Sequence, residues 1–174
     1  MTAPTRIVPA RIAPTRIDWL EDFIPGTRTH VGTIAFTAEE IVAFARQFDP
    51  QSFHIDEDAA RRSPYGGLIA SGWHTMSKIM KLVSQAALDR GGAGFIVSPG
   101  FEDLRWLKPS RPGDVLDVWT EVVSATPSAS RPDRGLVIQR FSAVNAAGET
   151  VCSVTGKVFF RKREGSDNGG RHER

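Results

Sequence analysis

Asp49 and His54 lie five residues apart in DPQSFH, with Pro50 between them, and are followed by Gly66-Gly67 and by Gly72 at the head of a long apolar segment. A carboxylate and an imidazole side by side can hold one water molecule and take its proton. Backbone N–H groups at a helix start lack intrahelical partners and can point at a negatively charged oxygen. Asp49, His54 and Gly72 together suit a reaction in which water attacks while charge develops on a nearby oxygen. Taken singly they have plainer uses. An Asp-Pro pair stops a helix, a histidine packs or faces solvent, and a glycine lets a helix approach a sheet closely.

The elements that must position these residues are legible in outline. Thr37, with Glu40 three residues later, forms a capping-box pattern, and Phe36 and Ile41 form a hydrophobic staple, so a helix is expected from Ala38 to about Gln47. Pro50 ends it and disfavours helical geometry at Asp49, so Asp49 and His54 should converge from a loop. A longer helix is expected over 68–90, with Ile69, Met76, Ile79, Met80, Val83, Ala86 and Ala87 available for burial and Gly91-Gly92 ending it. From Phe101 the period changes to two: Leu116, Val118, Thr120 and Val122 share a face, as do Val137, Gln139, Phe141 and Ala143, then Cys152, Val154, Gly156, Val158 and Phe160. Turns are marked by Pro112-Gly113-Asp114, Arg134-Gly135 and 145–148. An α+β fold is the economical architecture, an antiparallel meander wrapped around one long central helix.

The motif residues resemble the hydratase signature of the MaoC-like family, the (R)-specific enoyl-CoA hydratases and related acyl dehydratases of hotdog fold. Its pattern is Asp-x-Asn-Pro-x-His followed by roughly Gly-Gly-x-Ile-x-His-Gly. Asp49 and His54 fall at the acid and base positions, Gln51 and Ser52 replace Asn-Pro, and Ser71 replaces the histidine before Gly72. WLEDFIPG upstream and WLKPSRPGDVL downstream are further family landmarks, so the resemblance runs from about Trp19 to Arg161.

The resemblance implies reversible addition of water across the trans-2 double bond of an enoyl-CoA, giving a 3-hydroxyacyl-CoA of (R) configuration. Asp49, the favoured base, and His54 would activate the water, and the Gly72 N–H would bind the thioester oxygen. It also implies a homodimer whose sheets join edge to edge, and no cofactor beyond the CoA thioester that is the substrate. Two alternatives share the fold: an acyl-CoA thioesterase, whose water attacks the carbonyl carbon, and a non-catalytic acyl-thioester-binding subunit. Phe53, Trp73 and Trp106 are candidate walls of an acyl channel or ordinary core aromatics. Arg105, Lys108 and Arg111 surround a turn that suits CoA phosphates or plain solvation.

The rest of the chain bounds these readings. At 174 residues it suits one domain able to bury about 70% of its unfolded surface without disulfides or metal. The single cysteine, Cys152, excludes an intrachain disulfide and a Cys-rich zinc site and fits a reducing cytoplasm. His30, His54, His74 and His172 show no zinc-ligand spacing, and the acidic run 56–58 reads as a solvated helix start, so no metal is expected. There is no GxGxxG, Walker loop or G-x-S-x-G. A net charge of +2 without a basic block argues against nucleic-acid binding, and no apolar run approaches the roughly 20 residues that span a bilayer. The sequence divides into an extended Pro/Arg-containing arm (1–18) carrying APTRI twice, a folded unit (19–163), and a polar tail (164–174) expected to be disordered.

Overall fold

The computed structural model describes residues 16–165. Thr37 starts helix α1 (Ala38–Phe48) as anticipated, its hydroxyl accepting the Glu40 N–H at 3.2 Å. Phe36 and Ile41 are buried in one cluster beneath that turn. The Glu40 carboxylate also receives a hydrogen bond from Lys78 of the long helix at 2.8 Å. Asp49 closes α1 through its N–H to the Ala45 carbonyl, 2.9 Å, and Pro50 follows where a helical N–H would be required.

The chain then makes one turn of helix, α2 (Ser52–Ile55), and a short helix, α3 (Glu57–Arg62). His54 is therefore on a helical turn, although the proline pattern suggested a loop for both members of the pair. Asp56 accepts the Ala59 N–H at 2.7 Å as the cap of α3, and Glu57 and Asp58 pair with Arg61, which bears out the acidic run as a helix start. Among the described residues no cluster of ligating side chains suits a metal ion.

The long helix, α4 (Gly72–Asp89), begins four residues later than the apolar pattern suggested. Leu68, Ile69 and Ala70 are buried in a non-helical segment whose polar groups are used elsewhere: Ala70 N–H donates to Ser110 O at 2.8 Å, and Ile69 O accepts from His54. Ser71, fully buried, is the cap. Met76 and Ile79 are the most buried apolar residues of α4, whereas Ala87 is exposed and lines a small cavity with Val83, Thr120 and Phe160.

Five antiparallel strands, β1 (Arg28–Ala35), β2 (Phe95–Trp106), β3 (Val115–Pro127), β4 (Arg134–Val144) and β5 (Thr150–Arg161), form one sheet in the order β1-β3-β4-β5-β2. The expected alternation holds in β3 to β5, where Leu116, Val118, Val137, Ala143, Cys152 and Val154 are all within 1% of full burial. These three strands make the meander; β2 crosses to the far side of β5 and β1 flanks β3. Strand β1 and the start of β2 escaped the periodicity for different reasons. Only Ile34 of β1 is buried, and β2 breaks register three times around Pro99, Gly100 and Asp103. Arg134 and Gly135 open β4; the turn lies just before them, closed by Arg134 N–H on Arg131 O.

Ile17 bridges to Gly91, and Asp18 is buried with its carboxylate accepting the Ala93 N–H, so the folded unit includes the last two residues assigned to the arm. The first APTRI copy and the tail beyond residue 165 lie outside the described residues. Among those described, no helix is long and apolar enough to cross a membrane.

Candidate active site

The end of α1, helix α2, the 68–70 segment and the start of α4 meet at a cavity of about 510 Å³ lined by Asp49, His54 and Gly72. Residues separated by 23 positions in sequence are thus brought to one wall. Phe53, Trp73 and Trp106 line the same cavity, as the channel-wall reading required, and Ile69, Leu107 and Val151 extend its apolar surface.

His54 is almost completely buried, and its ring is held by a 2.8 Å hydrogen bond between Nδ1 and the Ile69 carbonyl. A carbonyl only accepts, so Nδ1 carries the hydrogen and Nε2 is the ring atom turned to Asp49. Nε2 stands 3.5 Å from Asp49 Oδ2. Phe53 packs edge-on against the imidazole at 4.5 Å between centroids and prevents the ring from swinging away.

Asp49 accepts two further hydrogen bonds, from Ser71 Oγ to Oδ2 at 2.7 Å and from Gln51 Nε2 to Oδ1 at 2.9 Å. The Ser71 bond is the chief cause that holds the Asp49 carboxyl below the usual aspartate range; burial opposes it, and Gln51 and the nearby His54 add to it. Asp49 is ionised at neutral pH. With the imidazole in its neutral form, Oδ2 and Nε2 would be two acceptors facing one another at 3.5 Å without a proton between them. The group that completes such a pair is a double donor, and a water molecule giving one hydrogen to each leaves its lone pairs free for attack.

Gly72 is the first residue of α4 and lines the cavity, and its N–H stands outside the intrahelical ladder. The space a side chain would need is already taken by the Trp106 indole, as the close-packing reading of this glycine also required. Lys108 reaches the cavity but is paired with Glu149 at 2.7 Å; Arg111 donates to the Tyr65 carbonyl and Arg105 pairs with Asp103.

Three participants were not singled out from sequence. Ser71 was noted only as a departure from the family pattern, although a serine before an apolar helix is a cap signal that could have placed it. Gln51 binds the acid from two residues away. The Ile69 carbonyl is invisible to any reading of side chains. Thr75 and Ser110, hydrogen-bonded to each other at 3.2 Å, add a polar patch to the cavity.

The Asp49–His54 pair and the Gly72 helix start lie on a five-stranded antiparallel sheet with one long helix, which is a hotdog fold. Residues 23–136 match the model of the MaoC like domain, and the chain belongs to that family. It is similar to the crystal structure of a MaoC-like dehydratase from Rhodospirillum rubrum, 44% identical over 83% of this chain and 97% of that one, with a TM-score of 0.75. It is also similar to the uncharacterized protein YdeM of Bacillus subtilis, 29% identical over 72% of this chain and 86% of that protein. An unliganded R-hydratase from Pseudomonas aeruginosa, 22% identical over 83% of this chain and 86% of that one with a TM-score of 0.64, shares the fold.

Proposed function

We propose that the protein is an acyl-CoA hydratase or dehydratase, adding water reversibly across the trans-2 double bond of an enoyl-CoA. The observation that carries the reading is the 3.5 Å gap between Asp49 Oδ2 and His54 Nε2, each fixed by a separate partner, in the cavity that Gly72 also lines. Membership of the MaoC-like family supports the reaction class.

The chemistry follows from that gap. A water bridging Asp49 and His54 presents its oxygen to C3 of the enoyl thioester. As the O–C3 bond forms, one water proton passes to Asp49, the C2=C3 electron pair moves towards C1, and negative charge grows on the thioester oxygen. The Gly72 N–H binds that oxygen; a single such donor is worth about 2.7–4 kcal/mol in a transition state. The proton then goes on through the pair to C2, restoring both groups and completing the addition of H and OH. Dehydration is the reverse path. Product of (R) configuration, a homodimer joined along the exposed β2 edge, and a cytoplasmic setting for the buried thiol of Cys152 belong to the same proposal.

The test is loss of the conjugated enoyl-thioester absorbance of crotonyl-CoA and of longer and branched enoyl-CoAs, with Asp49→Asn and His54→Ala as controls of verified fold. Turnover by wild type and a fall of about 10²–10⁴ in either variant are expected. Release of free CoA from saturated acyl-CoA would instead assign thioester hydrolysis. Stabilisation by CoA esters without turnover, unchanged in Asp49→Asn, would assign a binding subunit.

A further inference from the structure

Gly72 is held from outside its own helix. The Trp106 indole Nε1–H donates to the Gly72 carbonyl at 2.9 Å. A Cβ built on Gly72 would fall 2.6 Å from Nε1 and 2.7 Å from Cδ2, so the ring lies in the volume of a side chain. Trp73 buttresses that ring edge-on at 5.3 Å between centroids. Trp106 is the last residue of β2 and is registered against the buried Cys152 of β5, so the sheet fixes the backbone from which the indole reaches.

Burial does not account for this arrangement. Trp106 is 46% exposed, and an indole donor at the surface is satisfied by water. Its bond goes instead to the first residue of α4. Glycine has the widest backbone freedom, and a helix that begins on glycine frays at that residue unless something holds it. Ser71 secures one side, bonded to Asp49 and capping the Trp73 N–H; Trp106 secures the other through the Gly72 carbonyl.

We propose that Trp106 is a positioning residue for the reaction: it fixes Gly72 so that the N–H offered to the thioester oxygen is aimed before substrate arrives. The inference rests on the hydratase reading of the site. Donors that need no reorganisation as charge develops are the ones that lower a barrier, so loosening Gly72 lowers kcat and leaves the ground-state grip on the acyl chain.

Trp106→Phe keeps a ring over Gly72 and removes the donor. On an enoyl-CoA that wild type hydrates, kcat is expected to fall on the order of 10- to 100-fold with KM little changed. Unaltered kcat, or a rise in KM alone, would overturn the proposal and leave the ring as a plain wall. Amide spectra of ¹⁵N-labelled protein provide the second measurement: saturated butyryl-CoA, which cannot be hydrated, should shift the Gly72 amide in wild type and much less in Trp106→Phe. If wild type hydrates no enoyl-CoA, the hydratase reading falls, and an equal Gly72 shift in both proteins overturns the positioning role separately. Wild type alone also decides if the variant does not fold, since rapid solvent exchange of the Trp106 indole N–H would show that the tie does not persist.

Discussion

Ser71 Oγ donates to Asp49 Oδ2 at 2.7 Å and accepts the Trp73 N–H at 3.2 Å, so one buried hydroxyl both caps the long helix and lowers the pKa of the acid. The family pattern has a histidine at this position. Here a serine supplies the bond, and it can do so because capping has already brought it to the helix start beside the end of α1.

Removing that hydroxyl tests its effect on the acid. The Asp49 carboxyl is held low, above all by Ser71, so its ionised form persists to lower pH than in the unfolded chain, and activity that needs the carboxylate disappears only as pH falls through the lowered value. In Ser71→Ala the acid limb of kcat/KM should move to higher pH, with a loss of helix-cap stability of about 1 kcal/mol. A pH profile whose acid limb stays in place would mean that Ser71 does not tune the acid.

Substituting Gly72 should be far more damaging than an ordinary Gly→Ala change at a helix start. The new methyl would collide with the Trp106 ring, which can leave only by breaking its bond to the Gly72 carbonyl. Gly72→Ala is expected to lower both the melting temperature and kcat. The double change Gly72→Ala with Trp106→Ala should regain melting temperature without regaining kcat; parallel recovery of both would place the whole effect in packing.

His74, in the first turn of α4, is a buried imidazole outside the proposed chemistry. It stacks on Phe44 at 4.7 Å, meets Phe36 edge-on, and has no partner at Nδ1. Burial, aided by the Lys78 charge and opposed by Glu40, lowers its pKa to about 4. The folded state thus favours neutral His74, and the unfolded chain binds the proton more readily. Stability should be full above about pH 6.5 and decline as pH falls towards 4. Urea midpoints at pH 7.5 and 5 should differ in wild type and differ less in His74→Phe; equal differences would move the effect to other groups.

The β2 edge gives a prediction about assembly. Phe95, Val97 and Phe101 are each roughly half exposed along an unpaired edge of the sheet. A long apolar edge invites pairing with another strand. Sedimentation should find a dimer for wild type and a monomer for Val97→Lys, which places a charge on the edge without entering the core. A wild-type monomer at micromolar concentration would remove this reading.

Much of the fold was readable from local chemistry. Thr37 and Pro50 bounded the first helix because capping and proline sterics act within a few residues, and β3 to β5 declared themselves because burial on one face imposes a period of two. The start of the long helix was misplaced for the complementary reason. Leu68, Ile69 and Ala70 are as apolar as helix residues, and backbone bonds to Phe53, Ser110 and His54 keep the segment out of the helix.

The sequence by itself determined the types of the candidate groups, Asp49, His54 and Gly72, and their family, because residue identity and spacing are local facts. Tertiary structure alone decided how they are arranged. Hydrogen bonds from groups distant in sequence or invisible in side-chain patterns orient the His54 ring through Ile69, lower the Asp49 pKa through Ser71, and tie Gly72 to Trp106 on the far strand. Such bonds depend on where folded elements meet, which no periodicity encodes.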